Sequence, residues 1–157
     1  MLTAERGLFH YTHWANQEIL SGLKHGAPPN QKALRLFAHL LKAEEGWLHR
    51  MQGGDTFGMN FWPDLTVEQC EQLAHQMRER YDTFLGNLTE VDLGRKAVYR
   101  NSQGTEYQTA FRDVLVHVAF HGAYHRGQIA LLLRGDGVTP PYTDFIGFER
   151  VVGSPFE

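Results

Sequence analysis

The chain has 157 residues, of which 42% are hydrophobic and 21% charged, and its 15 Lys+Arg against 18 Asp+Glu leave a net charge of −3. This suits one soluble domain over residues 1–157 with a continuous core, and with no basic run or Arg-rich stripe it argues against a dedicated nucleic-acid surface. Cys70 is the only cysteine, no segment approaches a membrane-spanning apolar run, and the start MLTAERGLFHYTHW lacks the order of a signal peptide, so the expectation is a cytoplasmic protein without disulfides or membrane contact.

Residues 3–24 read as a first helix, with Thr3 as N-cap and Leu8, Tyr11, Ala15, Ile19 and Leu23 as its stripe. His10 and His13 lie off the centre of that stripe and read as surface or rim residues. Trp14 reads as core packing, and Asn16 beside it as an amide that could line a pocket. Gly26, Pro28 and Pro29 break the helix. Asn30 caps a second helix over residues 31–52, whose main face carries Phe37, Leu41, Leu48 and Met51. His39 falls away from that face, in a row with Leu36, Ala43 and Gly46, whose small members would let a neighbouring helix come close. His49 reads as exposed. Glu44 and Glu45 read as solvated charges, unless one turns inward beside the histidines.

Residues 53–65, GGDTFGMNFWPDL, form a loop with an apolar underside, in which Phe57, Phe61 and Trp62 either cover an open end of the core or wall a substrate pocket. A capping box from Thr66 to Gln69 starts a third helix to about Leu88, with Val67, Cys70, Ala74, Met77, Tyr81, Phe84 and Leu88 at helical spacing and His75 on the surface. A short hairpin follows, turning at Asn101 to Gly104 with Val98 and Tyr99 on one side and Thr105 and Tyr107 on the other. The fourth helix starts at an N-cap, Thr109, and stops at Gly135 to Gly137. In the tail, Pro140 and Pro141 give an extended link, and Thr143 caps a short helix with Phe145, Ile146 and Phe148. Four long amphipathic helices with one hairpin make an all-α four-helix bundle, an architecture that builds metal sites between facing helices.

The chemistry concentrates on the fourth helix. Phe111, Val114, Val118, Ile129 and Leu132 recur at three- and four-residue spacing, and His121 and His125 lie within their stripe, with His117 on its flank. A buried imidazole needs a hydrogen-bond partner or a metal, because an unpaired polar group away from water costs about 1–3 kcal/mol. Residues i and i+4 of a helix have Cβ atoms about 5–6 Å apart, from which two ring nitrogens can converge on one cation. Two readings stand: core histidines bonded to carbonyls, or two ligands of a metal whose remaining ligand comes from another helix. The spacing and the third histidine favour the metal. His39 is one possible third ligand, which helical phase alone does not select.

The run HVAFHGAYHRGQIALLLR, preceded by YTHWANQEIL, FAHLLKAEEGWLHRM and the YRNSQG hairpin and followed by PPYTDFIGF, resembles the DinB/YfiT-like family of metal-dependent enzymes over nearly the whole chain. The resemblance implies a four-helix bundle that often dimerises. It implies a divalent metal, zinc or nickel, held by one histidine of the second helix and two of the fourth, which match His39, His121 and His125. It leaves His117 as a supporting residue, and it implies that Gln128 faces the site while Arg126 makes a structural contact. Some relatives are thiol-dependent transferases, so the partners it implies are a small-molecule substrate, among them a low-molecular-weight thiol, and a second copy of the chain.

Three neutral imidazoles leave a cation its full charge and an open position, which suits activation of a thiol or a water. Hydrolysis also needs a base near the metal, for which Glu44, Glu45 and Asp113 are weak candidates. The enzyme reading requires a pocket at the open position, lined by Trp14, Trp47, Phe61 or Trp62. The alternative, a non-catalytic metal-binding stress-response protein, predicts a closed site.

Overall fold

The computed structural model describes residues 2–25 and 28–154, so the expected break at Gly26 lies outside the described residues. Helix α1 spans Thr3–Lys24, α2 Gln31–Met51, α3 Val67–Gly86, α4 Phe111–Gly135 and α5 Phe145–Val152. A 3₁₀ turn, Asp92–Gly94, leads into the antiparallel hairpin of β1 (Lys96–Arg100) and β2 (Glu106–Ala110), registered by Val98 opposite Gln108. The protein is thus a mainly helical bundle with a hairpin before its last long helix, as the apolar periodicity predicts. Among the described residues no helix is long and apolar enough to cross a membrane.

The core falls into two apolar regions. Phe9 of α1, Leu48 and Met51 of α2, Met77 and Leu85 of α3, and Val114 and Val118 of α4 pack at one end; Ile19, Leu23, Phe37, Leu41, Cys70, Ala74, Ile129 and Leu133 pack at the other. Helices α1 and α4 therefore run from the first region to the second, and α2 and α3 run back. Because α2 and α3 point the same way, residues 52–66 must return along the bundle. That crossover is what brings loop residues to the middle of α2.

Between the two regions lies a polar layer to which all four long helices contribute. Asn16 of α1 donates from Nδ2 to Glu44 Oε1 of α2 at 2.8 Å and accepts on Oδ1 from Arg126 Nη1 of α4 at 2.9 Å. Tyr81 of α3 donates to the Glu44 carbonyl at 2.7 Å. Arg126 makes the structural contact the resemblance implies, only 1% exposed, with its guanidinium 5.5 Å from the Tyr11 ring. Glu44 is buried, against its reading as a solvated charge, because it finds Asn16 and Arg126 across the bundle. Its Oε2 and the Nε and Nη2 of Arg126 have no hydrogen-bond partner among the described residues.

His13 corrects a second expectation. It is 5% exposed, beside the stacked rings of Phe9 and Tyr81 and 6.1 Å from each. Burial, followed by the charges of Arg78, His10 and Arg126, pushes its imidazole down to about 3. The single-stripe reading fails for α1 because α3, α4 and α5 all pack on it, so the buried arc widens to include Thr12, His13 and Asn16. His10, His49 and His75 are exposed as expected.

The helix ends divide by cause. Asn30 caps α2 by accepting from the Ala33 N–H at 2.9 Å, and Thr66 and Gln69 form the expected capping box. Gly137, at φ +76°, ends α4, with its N–H donating to the Arg134 carbonyl and that of Val138 to Leu133. The three other threonine caps are wrong. Leu2 precedes α1 and Thr3 is already helical; Thr109 belongs to β2, its Oγ1 2.9 Å from Tyr99 Oη; Asp144 precedes α5, and the Thr143 carbonyl accepts from Tyr11 Oη. At α4 the ladder itself does the capping, since the Phe111 N–H donates to the Arg95 carbonyl.

Candidate metal centre and adjoining cavity

Helices α2 and α4 pack side by side, so a residue midway along α2 meets one midway along α4. His39 of α2 and His121 and His125 of α4 each bring one ring nitrogen to within 4.8 Å of the others, a group that could hold a metal ion. Ring centroids lie 5.1 Å apart for His39 and His121, 4.9 Å for His39 and His125, and 4.5 Å for His121 and His125. Among the described residues no carboxylate or thiol joins them.

Hydrogen bonds settle which nitrogen carries the proton in two of the rings. His39 Nδ1 lies 2.7 Å from the Phe61 carbonyl. A carbonyl only accepts, so Nδ1 carries the proton and Nε2 keeps its lone pair. His125 Nδ1 stands in the same relation to Gln128 Oε1, at 2.6 Å, and Gln128 thus faces the site. This is the arrangement in which ligating histidines are held, one nitrogen engaged by an acceptor and the other turned to the ion.

The Nε2 atoms of His121 and His125 are 3.2 Å apart. A tetrahedral ion with bonds of about 2.0–2.1 Å places adjacent nitrogens about 3.3–3.4 Å apart, so the pair already has a ligand separation. Burial lowers the His121 imidazole to about 4, helped by the charges that His125, His39 and His117 would carry. Burial also lowers His39, against the opposing bond to Phe61. Both rings are therefore neutral near pH 7, the state that binds a cation.

The crossover loop completes the surroundings. Trp62 stacks on His39 at 3.6 Å with the planes 4° apart, shielding one face of that ring. Gly46 makes this possible: a Cβ there would collide with the Phe61 ring. The small row on α2 therefore admits a loop at Gly46 as well as the expected helix, α4, which meets it at His39.

His117 stays outside the cluster, 5.6 Å from His121 and 5.2 Å from Trp47, ring to ring. Beyond it opens a cavity of about 620 Å³, lined by Trp47, Arg50, Phe61, Tyr99, Arg100 and Tyr107 among others. The three histidines are not in its wall. It adjoins them through Phe61, whose carbonyl holds His39, and through Trp47 and His117. Of the four expected lining aromatics, Trp47 and Phe61 are there and Trp62 sits on His39. Trp14 lines a separate cavity of about 550 Å³ with His10, His13 and Arg78.

The suggested bases are elsewhere. Glu44 is tied to Asn16, Glu45 pairs with Lys42 and Arg80, and Asp113 is exposed. Arg50, Tyr99 and Tyr107 escaped the sequence reading. A signal for Arg50 exists: eleven residues after His39, it lies within about 20° of it on α2.

The sequence model described as the DinB family matches residues 1–152. Protein DinB of Bacillus subtilis (strain 168) is 27% identical over 155 aligned residues, covering 88% of this chain and 89% of that protein.

Proposed function

This chain belongs to the DinB family, and from that membership and the site geometry we propose that it is a metal-dependent enzyme in which His39, His121 and His125 hold one divalent ion, zinc or nickel. The observation that carries the proposal is the convergence of three ring nitrogens from two helices, two of them oriented by acceptors on the opposite ring nitrogen. When bound, such an ion supplies Lewis acidity that draws a thiol or a water towards its deprotonated form.

The surrounding residues favour the thiol. A water nucleophile gains most from a carboxylate base beside it, and Glu44, Glu45 and Asp113 are all engaged or placed elsewhere. A thiol needs less help, because its ordinary pKa is about 8.5. Phe61 and Gln128 hold the imidazoles in the binding tautomer, Trp62 excludes water from one face of His39, and the cavity beyond His117 is roomy enough for a small-molecule substrate. We read the protein as a thiol-dependent transferase before a hydrolase. A homodimer is part of the proposal, supported by an exposed apolar row on α4, where Phe120 is 70% and Tyr124 66% exposed.

The test is elemental analysis of untagged protein purified without a metal-affinity step, wild type beside His39→Ala and His121→Ala. About one equivalent of zinc or nickel in the wild type, falling at least tenfold in both variants, is the expected result. Equal metal content in all three, or none in the wild type after zinc is supplied, would remove the site.

A further inference from the structure

The cavity beyond His117 combines aromatic walls with a charge of one sign. Trp47, Phe57, Phe61, Tyr99 and Tyr107 supply flat apolar surface, and Arg50 stands among them. The Arg50 guanidinium carbon lies 4.3 Å from the Trp47 ring centre, 4.7 Å from Tyr99 and 5.5 Å from Phe61. Rings over the faces of a guanidinium leave only its edges for hydrogen bonding. One edge is engaged, Nε donating to Thr56 Oγ1 at 2.6 Å.

No carboxylate among the described residues forms an ion pair with Arg50. The nearby acid, Asp55, is committed to Arg100 and to the Phe57 N–H. Arg100 also lines the cavity, over the Phe57 ring at 4.6 Å, but its charge is balanced by Asp55. The cavity wall thus carries a half-buried guanidinium that feels Asp55 only at a distance and has no ion-pair partner among the described residues, and its remaining edge has the fork geometry that fits a carboxylate or phosphate.

We propose that this cavity is the substrate pocket and takes an organic anion, a carboxylate or phosphate carried on a flat apolar body, with Arg50 gripping the anion and the body lying against Trp47, Phe61 and Tyr107. The proposal rests on the reading of the histidine cluster as the reactive centre. Trp47 touches His117 and His117 adjoins His121, so a molecule held at Arg50 extends along α2 towards the cluster. Its volume, about 620 Å³, is in the range of small-molecule sites. Asn101 and Ser102 of the hairpin turn, also in the lining, add polar groups at the mouth.

The experiment is an NMR titration of ¹⁵N-labelled protein, following the Trp47 indole N–H, which Trp47→Phe identifies. Three probes are compared in chelator-treated and in zinc-loaded protein: 3-phenylpropionate, phenyl phosphate and the uncharged 3-phenylpropionamide. At least one anion should shift the Trp47 signal saturably, at least tenfold more tightly than the amide, and whichever binds better tells carboxylate from phosphate. Arg50→Gln should weaken that anion at least tenfold while leaving zinc content unchanged. Failure of both anions, equal binding of the amide, or unchanged anion binding in Arg50→Gln would overturn the proposal; the amide comparison on wild type decides even if the variant misfolds. Anion binding at Arg50 in a protein that takes up no zinc would sink the metal reading and leave the pocket. Zinc uptake without anion binding would do the reverse.

Discussion

Glu44 is the residue whose chemistry is most exposed to measurement. Burial pushes its carboxyl up from the ordinary 4.5 to about 7, against the bond from Asn16 and the nearby charge of Arg126, which both pull it down. Between those two pH values the folded chain holds a proton that the unfolded chain has released, so stability must fall as pH rises, and the loss is complete above 7. The gap is worth about 3 kcal/mol at about 1.36 kcal/mol per pH unit, an upper figure for a group in a mixed polar layer. Glu44→Gln removes the titration while keeping an oxygen to accept from Asn16 Nδ2. The assay is urea unfolding of wild type and variant at pH 4.5, 6 and 8, with chelator present so that metal binding adds nothing. Taking the difference between the two cancels the histidines and the other carboxylates. Relative to wild type, the variant should gain about 2–3 kcal/mol between pH 4.5 and 8. A flat difference, or a variant that loses stability as pH rises, would mean that Glu44 is ionised in the fold and paired with Arg126, and the burial argument would be refuted.

Two further outcomes are expected. Gln128→Leu removes the acceptor that orients His125 and should weaken zinc binding about 10–100-fold in a competition titration, with the circular dichroism of the bundle unchanged; undiminished affinity would show that the ring needs no such support. Phe120→Asp places a charge in the exposed apolar row of α4 and should convert the proposed dimer to monomer in sedimentation velocity, whereas a variant sedimenting like wild type would place the contact elsewhere.

Much of the fold was legible because it is local. The stripes of α2, α3 and α4, the Asn30 cap, the Thr66 capping box and the turn at Asn101 to Gly104 each depend on residues close in sequence, and each is present. The failures share a cause. Thr109 has a good N-cap side chain, but the hairpin ladder runs one residue further and hands the Phe111 N–H to Arg95, so a neighbouring strand decides where α4 begins. His13 and Glu44 look polar enough for the surface. Their burial is decided by α3, α4 and α5 closing around α1, by Asn16, 28 residues from Glu44 in sequence, and by Arg126, 110 residues from Asn16.

The site divides in the same way, and the division bears on where chemistry can sit. His121 and His125 are neighbours on one helix, so their spacing alone brings them together. His39 depends on α2 packing beside α4 and on the crossover returning past it, neither of which is written into helical phase; the family resemblance, not periodicity, singled it out. The phase that kept His39 off the core face was nevertheless right. His39, Ala43, Gly46 and Arg50 form one row along the flank of α2: the first in the histidine cluster, Gly46 admitting Phe61, the last in the cavity wall. A core stripe has to exclude water and cannot admit a substrate, whereas a row outside it, covered by α4 at one end and by a loop at the other, can be packed and still be reached. Seen from α2, the histidine cluster and the Arg50 cavity are two ends of one face, and the loop carrying Phe61 and Trp62 is the wall they share.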